Sequence, residues 1–239
     1  MPVRSSYPVG MPCWIDCITG DVAASTAFYG ALFGWTFADE GRDHHLVLRD
    51  GAVVGGLGAA PPDRPGPAFW TTYLASKDLP ATVIAVRANG GQIVMPPMPA
   101  GPNGQLCLAL DPSGAAVGFW QGARADGIVL VDEPGAMVWH ELRTPSAAVL
   151  SFYSRLFPLS AEPDGAAVRV RLGDEPAFSI HECAGAARWI PQFGAESPDE
   201  LAERAVALGA SRVPGDAVVL RDPAGATFGV IKVRDAPRG

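Results

Sequence analysis

The chain has 239 residues, 48% hydrophobic and 18% charged, the balance of a folded globular protein and not of a disordered or fibrous one. Eighteen basic against 25 acidic residues leave a net charge of −7 with no Lys/Arg run, which argues against nucleic acid and anionic membranes, since phosphate binding needs clustered cations. The sequence has no long apolar window for a transmembrane helix and no signal-like start, and Cys13, Cys17, Cys107 and Cys183 form no Cys-x-x-Cys pair, so a cytoplasmic protein with a small-molecule or protein partner is expected, monomeric or homodimeric.

In chain order, Cys13-Trp14-Ile15-Asp16-Cys17 reads as a short strand, and Phe28-Tyr29-Gly30-Ala31-Leu32-Phe33 as the end of a helix closed by Gly34. Residues 44–49 and 52–57 read as a hairpin about Asp50-Gly51. The glycines of Val54-Gly55-Gly56-Leu57-Gly58 open no helix; they mark a strand bend or a place where backbone closely approaches a ligand. Phe69-Trp70-Thr71-Thr72-Tyr73 begins a further strand, and an amphipathic segment follows to Asn89-Gly90-Gly91. Met95-Pro96-Pro97-Met98-Pro99 reads as an irregular loop, a lid or partner contact. Asp111-Pro112-Ser113-Gly114 is a tight turn, and residues 122–135 read as a linker. Beyond it come a strand at Val138-Trp139-His140-Glu141-Leu142, the segment Phe152-Tyr153-Ser154-Arg155-Leu156-Phe157, and strands over 168–172 and 177–181. Trp189-Ile190-Pro191-Gln192-Phe193 opens the last unit, and Ser197-Pro198-Asp199-Glu200 predicts a capping box for a helix ending at Leu208-Gly209. Asp222-Pro223-Ala224-Gly225 repeats the earlier turn.

The chain thus repeats itself, and the repeats decide the architecture. Phe28 to Phe152 is an offset of 124 residues, Trp14 to Trp139 of 125, and Asp111 to Asp222 of 111. A weaker repeat lies inside each half, because Trp70 and Trp189 open equivalent strands 119 residues apart. The reading is a β-α-β-β-β unit, four times, in two pairs.

With these motifs in order the sequence resembles the vicinal oxygen chelate superfamily, which holds glyoxalase I, bleomycin-resistance proteins and extradiol dioxygenases; its two-domain form is similar to actinobacterial glyoxalase-like proteins. The resemblance implies an α+β fold of two glyoxalase-like domains, residues 8–122 and 136–234 with a linker at 123–135, each a pair of βαβββ units forming a cup-shaped mixed sheet. It also implies a divalent metal held by His, Glu or Gln at defined positions. One lies in the opening strand, about seven residues before the helix-capping Asp21. Here it is Trp14, and in the second half Trp139. Another lies seven residues after the Asp of Asp-Pro-x-Gly, here Gly118 and Gly229. The matching places in the other units fall near Trp70 or Thr72 and near Trp189 or Pro191. Because none of these is a metal ligand, no cofactor is expected; a divalent metal is the weaker alternative.

Residues i and i+2 of a strand share a face, so Asp16 points with Trp14 and Glu141 with Trp139, while His140 faces the other side. Asp16 and Glu141 are the candidate acid/base residues, and His181 can join Glu141 in the second cup. An acid there can equally bond backbone or an Arg across an interface. Trp14, Trp70, Trp139 and Trp189, with Tyr73, either line the cups as a ligand-binding wall or build core. His44-His45 place their rings on opposite sides of a strand and read as solvent-facing. Cys13 and Cys17, at i and i+4, are expected on one strand face as packing. The expected function is binding of a hydrophobic or aromatic metabolite, in secondary metabolism or resistance. The alternative is a lyase or isomerase using Asp16 or Glu141 as general acid/base, with a metal-dependent lyase or dioxygenase behind it.

Overall fold

The computed structural model describes residues 4–41, 44–63, 66–214 and 218–233. The first half runs β1 (Pro12–Thr19), α1 (Val22–Phe33), β2 (Thr36–Asp39), β3 (His44–Arg49) and β4 (Ala52–Ala59), then β5 (Phe69–Ala75), α2 (Leu79–Ala88), β6 (Gln92–Ala100), β7 (Gly104–Leu110) and β8 (Ala116–Gly122). The second half runs β9 (Met137–Thr144), α3 (Leu150–Leu156), β10 (Leu159–Asp164), β11 (Ala167–Leu172) and β12 (Glu175–Glu182), then β13 (Arg188–Ala195), α4 (Pro198–Ala207), β14 (Ser211–Arg212), β15 (Val219–Arg221) and β16 (Thr227–Lys232). Each half is one eight-stranded mixed sheet, ordered β2-β3-β4-β1-β5-β8-β7-β6 and β10-β11-β12-β9-β13-β16-β15-β14. Two βαβββ units therefore pair within a half, through the antiparallel ladders β1–β5 and β9–β13. The expected α+β architecture of two cup-shaped sheets is what the chain adopts.

Local chemistry sets the element ends. Asp21 caps α1 by accepting from the Ala24 amide at 2.9 Å, and Gly34 ends it in the left-handed region at φ 72°. Ser197 stands at the N-cap of α4, but its side chain makes no cap bond, so the predicted capping box is not formed. The Met95–Pro99 segment is no free loop: it lies inside β6, an edge strand whose pairing with β7 slips at Met95 and Met98. An edge is where prolines are tolerated, since the ladder does not need their missing N–H. A register slip at Cys13 in β1 likewise breaks the expected strand phase. Cys13 consequently packs with Tyr73, Ala75 and Trp120, whereas Cys17 packs with Phe28 and Leu57 on the other side. The linker is pinned to the sheet: the Ile128 amide donates to Cys13 O at 2.8 Å, the Val129 and Leu130 amides donate to Val53 O, and Ile128 and Leu130 are fully buried.

The helix-bearing faces of the two sheets pack on each other crosswise. One core joins α1 and the β1–β4 region to α4, β15 and β16; the other joins α2, β7 and β8 to α3 and β12. A paired polar lock sits inside each. The Tyr29 hydroxyl donates to Asp222 Oδ2 at 2.8 Å and accepts from Trp70 Nε1 at 2.9 Å. Its mirror is Tyr153, donating to Asp111 Oδ2 at 2.8 Å and accepting from Trp189 Nε1 at 3.1 Å. The Asp of each Asp-Pro-x-Gly turn thus holds its own turn with one oxygen and the opposite half with the other. Burial, with the nearby carboxylates adding to it, pushes both phenols well above the usual tyrosine range, so they remain donors.

Candidate functional sites on the two cup faces

Opposite the helices, each sheet presents its cup face, where directly paired residues stand side by side across the strands. In the first half one row runs Thr71, Asp16, Gly56, Leu46, Ala38, and the next runs Phe69, Ile18, Gly58, His44. These rows are apolar except for one cluster. Asp16, only 5% exposed, accepts from Trp14 Nε1 at 2.9 Å and lies 3.1 Å from His44 Nε2. His44 reaches it from two strands away because Gly56 has no side chain; a Cβ there would overlap the carboxylate and stand 2.7 Å from His44 Nε2. The hydrogen bond to Asp16 raises the His44 pKa above its ordinary value, against the opposing effect of partial burial. Trp14 stacks on Trp120 with ring centroids 6.3 Å apart, and Tyr73, paired with Trp14, lies buried beside Asp16. Burial and that carboxylate keep the Tyr73 phenol protonated. The Thr71 hydroxyl, beside Asp16 in the same row, is buried with no hydrogen-bond partner.

The second cup is built on the same lattice from different residues. Its rows run Ile190, Glu141, Ser179, Arg169, Glu162 and Arg188, Arg143, His181, Ala167, Asp164. Arg143 donates two hydrogen bonds to Glu141 Oε2, at 3.0 and 3.2 Å, so that carboxylate is already engaged. His181 Nε2 lies 3.9 Å from Glu141 Oε1 and 3.1 Å from Ser179 Oγ, which also accepts from Trp139 Nε1 at 3.0 Å. The same imidazole nitrogen faces both Ser179 and Glu141, so the three do not form a relay in which opposite ring nitrogens serve nucleophile and acid. Gln192, paired with Trp139, is fully buried, and neither carboxamide atom has a partner. A buried group left unpaired in this way costs roughly 1–3 kcal/mol.

The implied metal positions do not fit a metal. At Gly118 a Cβ would overlap the Tyr73 ring, and at Gly229 it would overlap the Gln192 carboxamide, so a longer ligating side chain at either place would have to displace its neighbour. Trp14 and Trp139 offer no ligand atom, and among the described residues no three His, Cys, Asp or Glu side chains converge as a metal site.

Of the residues picked out from sequence, the structure brings Asp16, Trp14 and Tyr73 together in one cup, and Glu141, Trp139 and His181 together in the other. Trp70 and Trp189 are corrections. They are turned away from both cups, buried in the cores between the halves, with their indole N–H groups on Tyr29 and Tyr153. The reason is phase: Trp14 stands opposite Tyr73, and Trp70, three residues back along the strand, falls on the other face. His140 faces away from Glu141 as expected, and its Nδ1 lies 3.1 Å from Thr72 Oγ1 of the other half. Sequence reasoning missed His44, Thr71 and Gln192. The glycines at 55, 56 and 58 were the available signal for His44, since they mark where something approaches the strand closely. A cavity of about 290 Å³ lies beside the second cup, and another of about 380 Å³ lies on the helix-bearing side where the halves meet, lined by Asn89, Pro112, Ser146 and Phe152. The first runs under the N-terminal segment, where Arg4 pairs with Glu175, and reaches Trp139.

A family model described as the glyoxalase/bleomycin resistance protein/dioxygenase superfamily matches residues 14–119, and a glyoxalase-like domain model matches residues 105–231. The chain is 35% identical to a putative glyoxylase, CFP32, of Mycobacterium tuberculosis, over 97% of this chain and 98% of that protein. It is 32% identical to the anthracycline biosynthesis protein DnrV of Streptomyces peucetius, over 96% of this chain and 95% of that protein. Among solved structures, the Mn(II)-bound glyoxalase from Novosphingobium aromaticivorans aligns with a TM-score of 0.64 at 16% identity, covering 96% of this chain and 86% of that one. At that identity the likeness speaks for the fold alone.

Proposed function

The chain belongs to the glyoxalase/bleomycin resistance protein/dioxygenase superfamily, and from that premise we propose that it binds a hydroxylated aromatic small molecule in its first cup, without the superfamily's metal. One observation carries this reading: the floor of that cup sets the Asp16–His44 pair beside a buried, unpartnered Thr71 hydroxyl, under the stacked rings of Trp14 and Trp120. Flat apolar rings favour a flat aromatic ligand, and the polar floor favours one that carries hydroxyl groups. Similarity to a protein named for anthracycline biosynthesis supports a ligand from secondary metabolism, because anthracyclines are fused, hydroxylated ring systems. A second reading keeps the same residues and makes them a proton-moving pair in a lyase or isomerase. His44 favours it, being hydrogen-bonded to a buried acid while a third of its side chain stays open to solvent. Glu141 is the poorer base, since Arg143 occupies it.

Calorimetric titration with 1,2-dihydroxyanthraquinone, against unsubstituted anthraquinone, tests the binding reading. The dihydroxy compound is expected to bind with a Kd on the order of micromolar, and the parent at least about tenfold more weakly. Pretreatment with EDTA should leave both values unchanged. Gly56→Ala, which intrudes on Asp16 and His44, should weaken binding about tenfold or more with the far-UV circular dichroism intact. Equal affinity for the two quinones, or binding lost with EDTA, would overturn the reading.

A further inference from the structure

We infer that the second cup is a separate binding site for a neutral ligand bearing a lactam or primary carboxamide group, read by Gln192. The inference goes beyond the reading of the first cup and rests on different residues. Around Gln192, the other polar groups of the second cup are matched inside the protein: Trp139 with Ser179, Ser179 with His181, Glu141 with Arg143, and Arg169 with Asp164. Gln192 is the exception. Its amide nitrogen and its carbonyl oxygen are both buried and both unpaired. Gly229 leaves room for that carboxamide to lie across the neighbouring strand, where a Cβ would collide with it. In the first half the same place holds the Tyr73 ring over Gly118, so this free amide belongs to the second half alone.

The chemistry of the ligand follows from the inventory of a carboxamide, which presents a donor and an acceptor along one edge. A carboxylate offers acceptors only and leaves the Gln192 oxygen unpaired. A hydroxyl serves one atom at a time. A lactam or primary amide presents a donor and an acceptor side by side, and two parallel hydrogen bonds satisfy both Gln192 atoms together. Charge near Gln192 agrees with a neutral ligand: the guanidinium groups of Arg143 and Arg169 are matched by Glu141 and Asp164, and Arg188, four residues back along β13, donates to the Ala186 carbonyl. The wall beside Gln192 is apolar, with Ile231 packed on Trp139.

The test is titration of the full chain with benzamide and with benzoate, by calorimetry and by chemical shifts of the tryptophan indole N–H groups. Benzamide should bind and move one indole resonance, with benzoate at least about tenfold weaker. Gln192→Leu should lose benzamide binding by about tenfold or more, leave 1,2-dihydroxyanthraquinone titration unchanged, and raise the Tm by a few degrees, roughly, because an unpaired buried amide is gone. Should that variant fail to fold, Gln192→Met keeps the length of the side chain and removes both hydrogen-bonding atoms. Benzamide binding that survives either substitution, or wild-type protein that gives no signal, would mean that water alone satisfies Gln192 and would overturn the proposal. The quinone titration separates that outcome from a failure of the first-cup reading.

Discussion

The two halves share a fold and disagree about chemistry, and the disagreement is greatest on one face. On the helix-bearing side the two locks mirror each other: Tyr29, Trp70 and Asp222 are answered by Tyr153, Trp189 and Asp111 at nearly identical distances. On the cup side the same lattice positions carry Thr71, Asp16 and Gly56 in one half and Ile190, Glu141 and Ser179 in the other. Each helix face is packed against the partner half, so a change there must be accommodated by both. On the cup faces Asp16 and His44 bond within the first half, and Glu141, Arg143, Ser179 and His181 within the second, so a change there is accommodated by one half. The lock that joins the halves is kept in both, while the cup positions vary.

The sharpest test of that division is to remove the mirrored tryptophans. Trp70→Ala and Trp189→Ala should each cost about 3–5 kcal/mol, the range for a large aromatic deleted from a core, with added loss because the Tyr hydroxyl oxygen loses its indole donor while still bonding the Asp. Denaturant unfolding should show losses of similar size for the two, because the two environments match. Ligand titration of whatever fraction stays folded should show ordinary affinity. A selective loss of binding in either variant would return these residues to the cups.

His140 breaks the mirror on the packed face, since its counterpart in the first half is Ile15. Burial lowers its pKa to about 3 from the ordinary 6.5, so it is neutral in the folded chain. As pH falls through that window the unfolded chain takes up a proton that the folded chain refuses, and stability declines by up to about 1.4 kcal/mol per pH unit. His44 works with the opposite sign: its raised folded pKa gives stability that is fully present below 6.5 and is lost as pH rises through the folded value. Replacing His140→Ile together with its partner Thr72→Val removes both polar groups at once, so neither is left unpaired. The double variant should flatten the acid limb of a stability-against-pH curve between about pH 6 and pH 3.5. An unchanged limb would assign the acid sensitivity to other groups.

Much of this was legible in the chain itself. The Trp-strand, Phe-Tyr helix and Asp-Pro-x-Gly turn recur in order, and a fold carried by repetition survives uncertainty in any one element. The pairs Trp14–Asp16 and Trp139–Glu141 followed from strand alternation, and they do share their cup faces. What alternation could not supply was the phase of one strand against another. Trp70 resembles Trp14 in sequence, yet the antiparallel register of β5 on β1 sends it to the core. Nor could it supply reach: His44 belongs to the site through the missing side chain of Gly56, a contact across two strands. Gln192 carried no signal except its alignment with Tyr73, and only burial shows that its amide is unpaired. The irregular loop expected at residues 95–99 was misread because prolines that break an interior strand are acceptable on an edge.

The smallest expected contrast lies in the two helices that meet across the halves, α1 and α4. Asp21 satisfies a first-turn amide of α1, so Asp21→Ala should cost about 1 kcal/mol in denaturant unfolding. Ser197 occupies the same place on α4 without bonding the helix, and α4 starts instead with Pro198 at its first turn and the acids Asp199 and Glu200 against the positive end of the dipole. Ser197→Ala should therefore change stability by less than about 0.5 kcal/mol. Raising the salt concentration should weaken α4's support, which rests on screened charge, more than α1's, which rests on a direct hydrogen bond. If the two substitutions cost the same, Ser197 caps its helix in solution, and the two halves are more alike on this face than their hydrogen bonds indicate.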